Sequence, residues 1–189
     1  MKDITRSRLL LFTLVIEGSV FILALIMGSV FGIKLFPLSE NLLNDIAIGT
    51  FSSIPPLILF VFSMSRRCDN VRVLKSLKDT LLFNVMPFFK NSKSVDLILI
   101  AALAGLCEEV FFRGILQVKY GIYLASIVFG LLHFITPIYF IFATIMGFYI
   151  GYIYLYYDSL LIPVQLHYIY DAVALIYLKY FIINVSPSE

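Results

Sequence analysis

The stretch Gly105-Leu-Cys-Glu-Glu-Val-Phe-Phe-Arg-Gly114 decides how this chain has to fold. It places two adjacent carboxylates, Glu108 and Glu109, and one guanidinium, Arg113, between apolar segments. A charged side chain in the hydrocarbon of a membrane costs about 3 kcal/mol or more, so it has to face protein or water and to have a partner. We therefore expect the rest of the chain to supply these partners and to enclose them in a membrane.

The composition of the chain supports a membrane location. Of its 189 residues, 61% are hydrophobic and 14% are charged, whereas a soluble domain is about half apolar and a quarter charged. Backbone groups in lipid must bond within their own segment, which favours helices. Short alternating segments, the pattern of a membrane barrel, do not occur. The fold class is therefore predicted to be all-α: a polytopic integral membrane protein with about six transmembrane helices.

The apolar runs predict the following spans: 9–33, 46–64, 94–118, 121–134, 137–157 and 160–183. They divide the chain into residues 1–93, with two N-terminal spans and a basic segment, and residues 94–184, a core of four helices. Pro55 and Pro56 remove two backbone donors, so the second span should kink or break there. Glu17, inside the first span, is interpreted as a snorkelling or helix-packed carboxylate.

The segment between the second and third spans is basic and amphipathic. It contains half of the 14 basic residues of the chain, namely Arg66, Arg67, Arg72, Lys75, Lys78, Lys90 and Lys93. Apolar residues recur between them at helical spacing: Val71, Leu74, Leu77, Leu81 and Leu82. This pattern predicts a helix on an anionic membrane surface, with membrane lipids as partners. The basic residues are too few to favour nucleic acid.

The distribution of charge also predicts an orientation. Six spans place both termini on one side of the cell membrane, together with the basic segment and the N-terminal Lys2, Arg6 and Arg8. By the positive-inside rule this side is the cytoplasm.

Three other titratable residues, His133, His167 and Asp171, lie inside the last spans. Counted from the non-cytoplasmic turns at 1.5 Å per residue, Glu108 lies roughly 15 Å deep, His133 roughly 18 Å, His167 roughly 10 Å and Asp171 roughly 16 Å. Because the hydrocarbon is about 30 Å thick, all four lie near its middle. We therefore predict one shared polar site, with hydrogen bonding between packed helices as the alternative.

Helical spacing assigns these side chains to faces. His167 and Asp171 share one face, and Glu109 can form an ion pair with Arg113 four residues later. Glu108 points about 100° away from Glu109 and is free to face the histidines. A proton-coupled carrier would also use carboxylates and histidines as a relay, but no inverted repeat of broken helices is visible.

Three motifs carry a resemblance to a known family. Glu108-Glu109-x-x-x-Arg113, Phe129-x-x-x-His133 and His167-x-x-x-Asp171 resemble, in this order, those of the CPBP family. This family comprises the type II CAAX prenyl endopeptidases and the bacteriocin-processing (Abi) intramembrane proteases. The resemblance covers about residues 94–180. It implies a helical membrane endopeptidase with a four-helix catalytic core, acting on a hydrophobic or lipidated peptide. A bacteriocin-immunity or scaffold protein of the same fold, acting by binding, is the alternative.

The resemblance also implies roles for the residues. Glu108 would be the general base, His133 would help it to activate a water, and His167 and Asp171 would stabilise the oxyanion. An asparagine is common where this chain has Asp171, and a carboxylate cannot donate a hydrogen bond unless it is protonated. Asp171 is therefore also interpreted as a residue that orients His167. A divalent metal such as zinc, bound by Glu108, His133, His167 and Asp171, stays open as an alternative to metal-independent catalysis.

Overall fold

A computed structural model describes residues 4–182 of the chain, and within this range every regular element is a helix. The α-helices are α1 (Arg6–Phe31), α2 (Leu42–Ser52), α3 (Ile54–Met64), α4 (Arg72–Thr80), α5 (Met86–Phe89), α6 (Ser94–Phe111), α7 (Val118–Leu132), α8 (Pro137–Tyr157) and α9 (Leu161–Tyr177). A 3-10 helix covers Arg66–Asn70, and π-helices cover Leu81–Val85, Phe112–Gln117 and Leu178–Ile182. The predicted all-α fold is confirmed.

The prolines act where the sequence predicted. The second span is broken at Ser53, which lies between α2 and α3, and Pro55 and Pro56 occupy the first turn of α3. The backbone N–H groups of a first helical turn have no intrahelical partner, so prolines are tolerated there. The prediction of a kink or break is therefore confirmed.

Within residues 4–182, four helical segments are long and apolar enough to cross a membrane: Arg6–Phe31, Leu42–Met64, Pro137–Tyr157 and Leu161–Tyr180. The two other predicted spans also form helices, but α6 carries three carboxylates, those of Asp96, Glu108 and Glu109, and α7 has only 15 residues. Three parts of the sequence predictions lie outside the described residues: the cytoplasmic placement of Lys2, the end of the last span at residue 183, and the tail from residue 184. The orientation of the termini stays a prediction.

Helix α9 lies at the centre of the packing, between α2 and α6. Gly105 permits the close approach of α6 and α9, because a Cβ atom at this position would lie 2.9 Å from the backbone nitrogen of Tyr168. Real Cβ atoms essentially never come this close to backbone atoms. The first residue of the stretch quoted above thus brings its carboxylates next to α9.

The basic segment differs from its prediction in one respect. It is helical, but Leu77 is only 7% exposed, and the side-chain oxygen of Thr80 lies 3.0 Å from that of Thr136. Part of its apolar face therefore packs on protein, since Leu81 and Leu82 lie against a buried cluster, whereas Val71 stays 48% exposed. Apolar periodicity identifies a face that has to be covered, and protein covers it as well as lipid does. Contact of the exposed basic residues with anionic lipid stays a prediction.

Candidate active site

Glu108 and His133 form the first pair of the site. Oε2 of Glu108 lies 3.7 Å from Nε2 of His133, which is too far for a direct hydrogen bond. The same Oε2 is buried and has no hydrogen-bond partner among the described residues. Nδ1 of His133 lies 2.9 Å from the carbonyl oxygen of Phe129. Because a carbonyl only accepts, Nδ1 carries the proton, and Nε2 of the neutral ring presents its lone pair towards Glu108.

Glu109 and Arg113 form the buried base of the site. Nε of Arg113 lies 3.1 Å from Oε2 of Glu109, and Nη1 donates to Oε1 over 3.3 Å. Nη2 donates to the carbonyl oxygen of Gly147 over 2.8 Å, which ties the pair to α8. Glu109 is 0% and Arg113 1% exposed. The predicted ion pair is confirmed, and its complete burial makes each charge dependent on the other.

His167 lies between two carboxylates. Its Nδ1 lies 2.7 Å from Oε1 of Glu109, and its Nε2 lies 3.3 Å from Oδ2 of Asp171. The sequence analysis assigned Glu109 to Arg113 alone and expected Glu108 to face both histidines. In the structure Glu109 holds His167 and Glu108 faces His133. The i, i+4 rule identifies partners on the same helix, and it cannot find a histidine that α9 places beside the same carboxylate.

The ring of Phe129 connects the two halves of the site. Its centroid lies 4.4 Å from that of His133 in a stacked arrangement and 6.0 Å from that of His167, edge to face. The guanidinium carbon of Arg113 lies 5.0 Å from the same centroid. One aromatic side chain therefore fixes the orientation of both imidazoles and covers the buried cation.

A cavity of about 240 Å³ opens beside these residues. His133, His167 and Asp171 line it, and so do the two tyrosines Tyr139 and Tyr170. Most of the other lining side chains are aliphatic or aromatic. The site thus combines a few convergent polar groups with an apolar wall, as sites for small or extended apolar ligands do.

Sequence reasoning missed some contributors to this site. Glu17 of α1 interacts electrostatically with Glu108, both histidines and Asp171, and its Oε2 is buried with no hydrogen-bond partner among the described residues. One feature of the sequence could have identified Glu17 as part of the site: it is the only charged residue in the first apolar run. The two tyrosines carried no signal, because aromatic residues are common throughout α8 and α9.

The arrangement does not fit a metal bound by Glu108, His133, His167 and Asp171. Both ring nitrogens of His167 lie within 3.3 Å of carboxylate oxygens, whereas His133 keeps a lone pair on Nε2, because its Nδ1 is bound to a backbone carbonyl. A histidine ligand needs a nitrogen lone pair directed at the metal. Among residues 4–182, no three His, Cys, Asp or Glu side chains are grouped to hold a metal ion. We therefore derive no catalytic step through a metal.

Fold and site together define a class: an all-helical protein with several membrane-spanning helices and a carboxylate–histidine site between α6, α7 and α9. Residues 90–173 match the model of the family described as type II CAAX prenyl endopeptidase Rce1-like. The resemblance predicted from the three motifs is confirmed, because this match includes all three of them.

A curated relative supports the match. Over 88 residues the chain is 34% identical to the uncharacterized protein YpbD of Bacillus subtilis (strain 168). The aligned segment covers 45% of this chain and 47% of that protein, so each chain is matched over about half of its length. No solved structure matches the chain significantly.

Proposed function

We propose that this protein is an intramembrane endopeptidase that hydrolyses a peptide bond in a hydrophobic or lipidated, membrane-associated substrate. The observation that carries the proposal is the gap between Glu108 and His133. Two acceptors, a carboxylate oxygen and an imidazole lone pair, face each other over 3.7 Å without a donor between them. A water molecule supplies the two donors that this pair needs.

The proposed reaction follows from this geometry. A water donates one O–H to Glu108 and the other to His133, so that an oxygen lone pair is free for attack. The oxygen bonds to the carbonyl carbon of the substrate while Glu108 accepts the proton, as a general base does. The C–N bond then breaks, and the proton passes to the leaving amine. An apolar cavity favours this chemistry because expelling water from it strengthens the electrostatic interactions of the reacting groups.

We assign the oxyanion to His167 and a positioning role to Asp171. His167 lines the cavity, and a donor aimed at the developing oxyanion lowers the barrier. Nε2 has a single proton, which Asp171 accepts in the resting site over 3.3 Å and which is shared with the oxyanion once the substrate carbonyl is in place. Glu109 holds the opposite nitrogen. The pair of carboxylates thus keeps protons on the imidazole that has to donate.

The first experiment compares proteolysis in native membranes. Wild type, Glu108→Gln and Glu40→Gln are expressed at equal levels, and new termini of membrane peptides are mapped by mass spectrometry. Glu40 is an exposed glutamate and serves as the matched control. We expect the same new termini with wild type and Glu40→Gln, and none with Glu108→Gln. If all three samples match while a wild-type phenotype persists in Glu108→Gln, the protein acts by binding and the proposal is wrong.

The metal question has its own measurement. The protein in vesicles is dialysed against a chelator, and cleavage of a peptide identified in the first experiment is followed. We expect full activity, because the mechanism above uses only side chains and water. Loss of activity that added zinc restores would overturn this assignment and would require a ligand set other than the one tested above.

A further inference from the structure

A stripe of four apolar side chains outside the family-matched region lines the cavity. Leu77, Leu81, Val85 and Phe89 recur every fourth residue along α4, the π-helix Leu81–Val85 and α5, and all four contribute to the cavity wall. In an α-helix, every fourth residue drifts by about 40°. The wider turn of the intervening π-helix offsets this drift, so the four side chains stay on one face.

The stripe runs along the cavity, from the catalytic groups to the opposite end of the cavity. Near the first end, Thr80 is bound to Thr136, only three residues after His133. Near the second end, Phe89, the last residue of the stripe, lines a small adjoining pocket together with Leu178. Leu178 lies eleven residues after His167, which is roughly 16 Å along the helix. The stripe is thus a lateral wall of the cavity over its length.

The volume of the cavity limits its occupant. About 240 Å³ is available, slightly less than the roughly 300–1,000 Å³ of most small-molecule pockets. At roughly 30 Å³ for a group the size of a water molecule, the cavity holds roughly eight such groups. This is about the bulk of two leucine side chains, and much less than that of a long lipid chain.

From these observations we infer that the stripe is a specificity-determining element that limits the substrate to a short, unbranched or singly branched aliphatic group beside the cleaved bond. The inference deepens the proposed function and rests on it, because only an endopeptidase has a substrate with a cleaved bond. The occupant is apolar because, among the described residues of the wall, only Asp171 and the two histidines have an acidic or basic side chain other than the tyrosines. Bulk at the stripe residues then decides how many methylene groups can enter.

The test uses tryptophan fluorescence, because the chain contains no tryptophan of its own. Phe89→Trp places a reporter in the cavity wall. Phe83→Trp, on the same segment but 72% exposed, measures unspecific partition into the membrane. Both proteins, as full chains in vesicles of unbrominated lipid, are titrated with N-alkanoyl glycinamides of increasing chain length that carry a terminal, quenching bromine.

We expect excess quenching at Phe89→Trp, with an affinity that rises about fourfold for each buried methylene until the cavity is full. In the Phe89→Trp background, Leu81→Ala with Val85→Ala should shift this limit to longer chains, and Leu81→Phe should shift it to shorter ones. Equal quenching at both reporters, or one limit in all variants, would overturn the inference. Because the assay measures binding alone, a shifted limit without any proteolysis would instead refute the proposed function.

Discussion

The two adjacent glutamates should respond in opposite ways to the same substitution. Glu109→Gln keeps the size of the side chain and removes the negative charge between Arg113 and His167. Glu108→Gln does the same one residue earlier, where the nearest side chain that could pair with the carboxylate, the neutral ring of His133, is 3.7 Å away. We expect the first substitution to destabilise the protein strongly, and the second to leave its stability unchanged or to increase it.

The size of the effect follows from burial. With Glu109 neutralised, the guanidinium of Arg113, which is 1% exposed, keeps only the carbonyl oxygen of Gly147 as a strong acceptor. Breaking one partner of a buried ion pair costs about 3–5 kcal/mol. An amide oxygen still accepts, so we expect about 3 kcal/mol, more than a hundredfold in the unfolding equilibrium. Glu108 has a buried oxygen without a partner, so its neutralisation removes an uncompensated cost.

The assay is reversible unfolding in mixed micelles, followed by far-UV circular dichroism as the denaturing detergent is increased. Wild type, Glu108→Gln and Glu109→Gln are measured side by side at one protein and micelle concentration. If Glu109→Gln costs less than about 1 kcal/mol, its ion pair is not a buried support of the fold. Equal losses in both variants would also refute the reasoning, because they would show that any carboxylate at this depth is equally supported.

Three further outcomes are expected from the same structure. Asp171→Asn should slow cleavage by roughly ten- to a hundredfold, since it weakens one charge-assisted hydrogen bond to His167; an unchanged or higher rate would instead favour an oxyanion-donor role for this position. Gly105→Ala should destabilise the protein by about 1–3 kcal/mol, as overpacking does. An unfolding free energy in mixed micelles equal to that of the wild type would contradict this. Cys68 and Cys107, both buried, should react with a maleimide reagent only after local or global opening, and rapid labelling of the folded protein would show that these sites are open.

Part of this architecture was predictable because it depends on local rules. The break beside Pro55 and Pro56 follows from missing backbone donors, and the ion pair of Glu109 and Arg113 follows from helical spacing. The approach of Glu108 and His133 follows from equal depth in a layer of known thickness. Each of these features is determined by one segment and by the dimensions of the membrane, and no detailed packing is needed to find it.

Other features depend on which helices become neighbours. The contact of Glu109 with His167 requires α6 and α9 to touch. Gly105 permits this contact, but a glycine in a helix does not by itself predict which helix will pack there. The role of Glu17 requires α1 to pack beside α6. Periodicity in the sequence identified Leu77 and Leu81 of the apolar stripe but not Val85 and Phe89. It also does not distinguish a lipid surface from a cavity wall, because lipid tails are as apolar as leucine. These features could therefore be read only from the structure.

The division of labour between the two glutamates explains why they have to be adjacent. Consecutive helical residues point about 100° apart, so two neighbouring side chains of α6 lie in two different environments. Glu109 points into the protein, where Arg113 and His167 neutralise it and fix the imidazole in place. Glu108 points towards His133, and no cation among the described residues satisfies its Oε2. A base that is already paired is a weak proton acceptor, and a base without rigid neighbours is poorly positioned. Under the proposed mechanism, the buried pair therefore provides the rigidity, and the unpaired neighbour provides the reactivity.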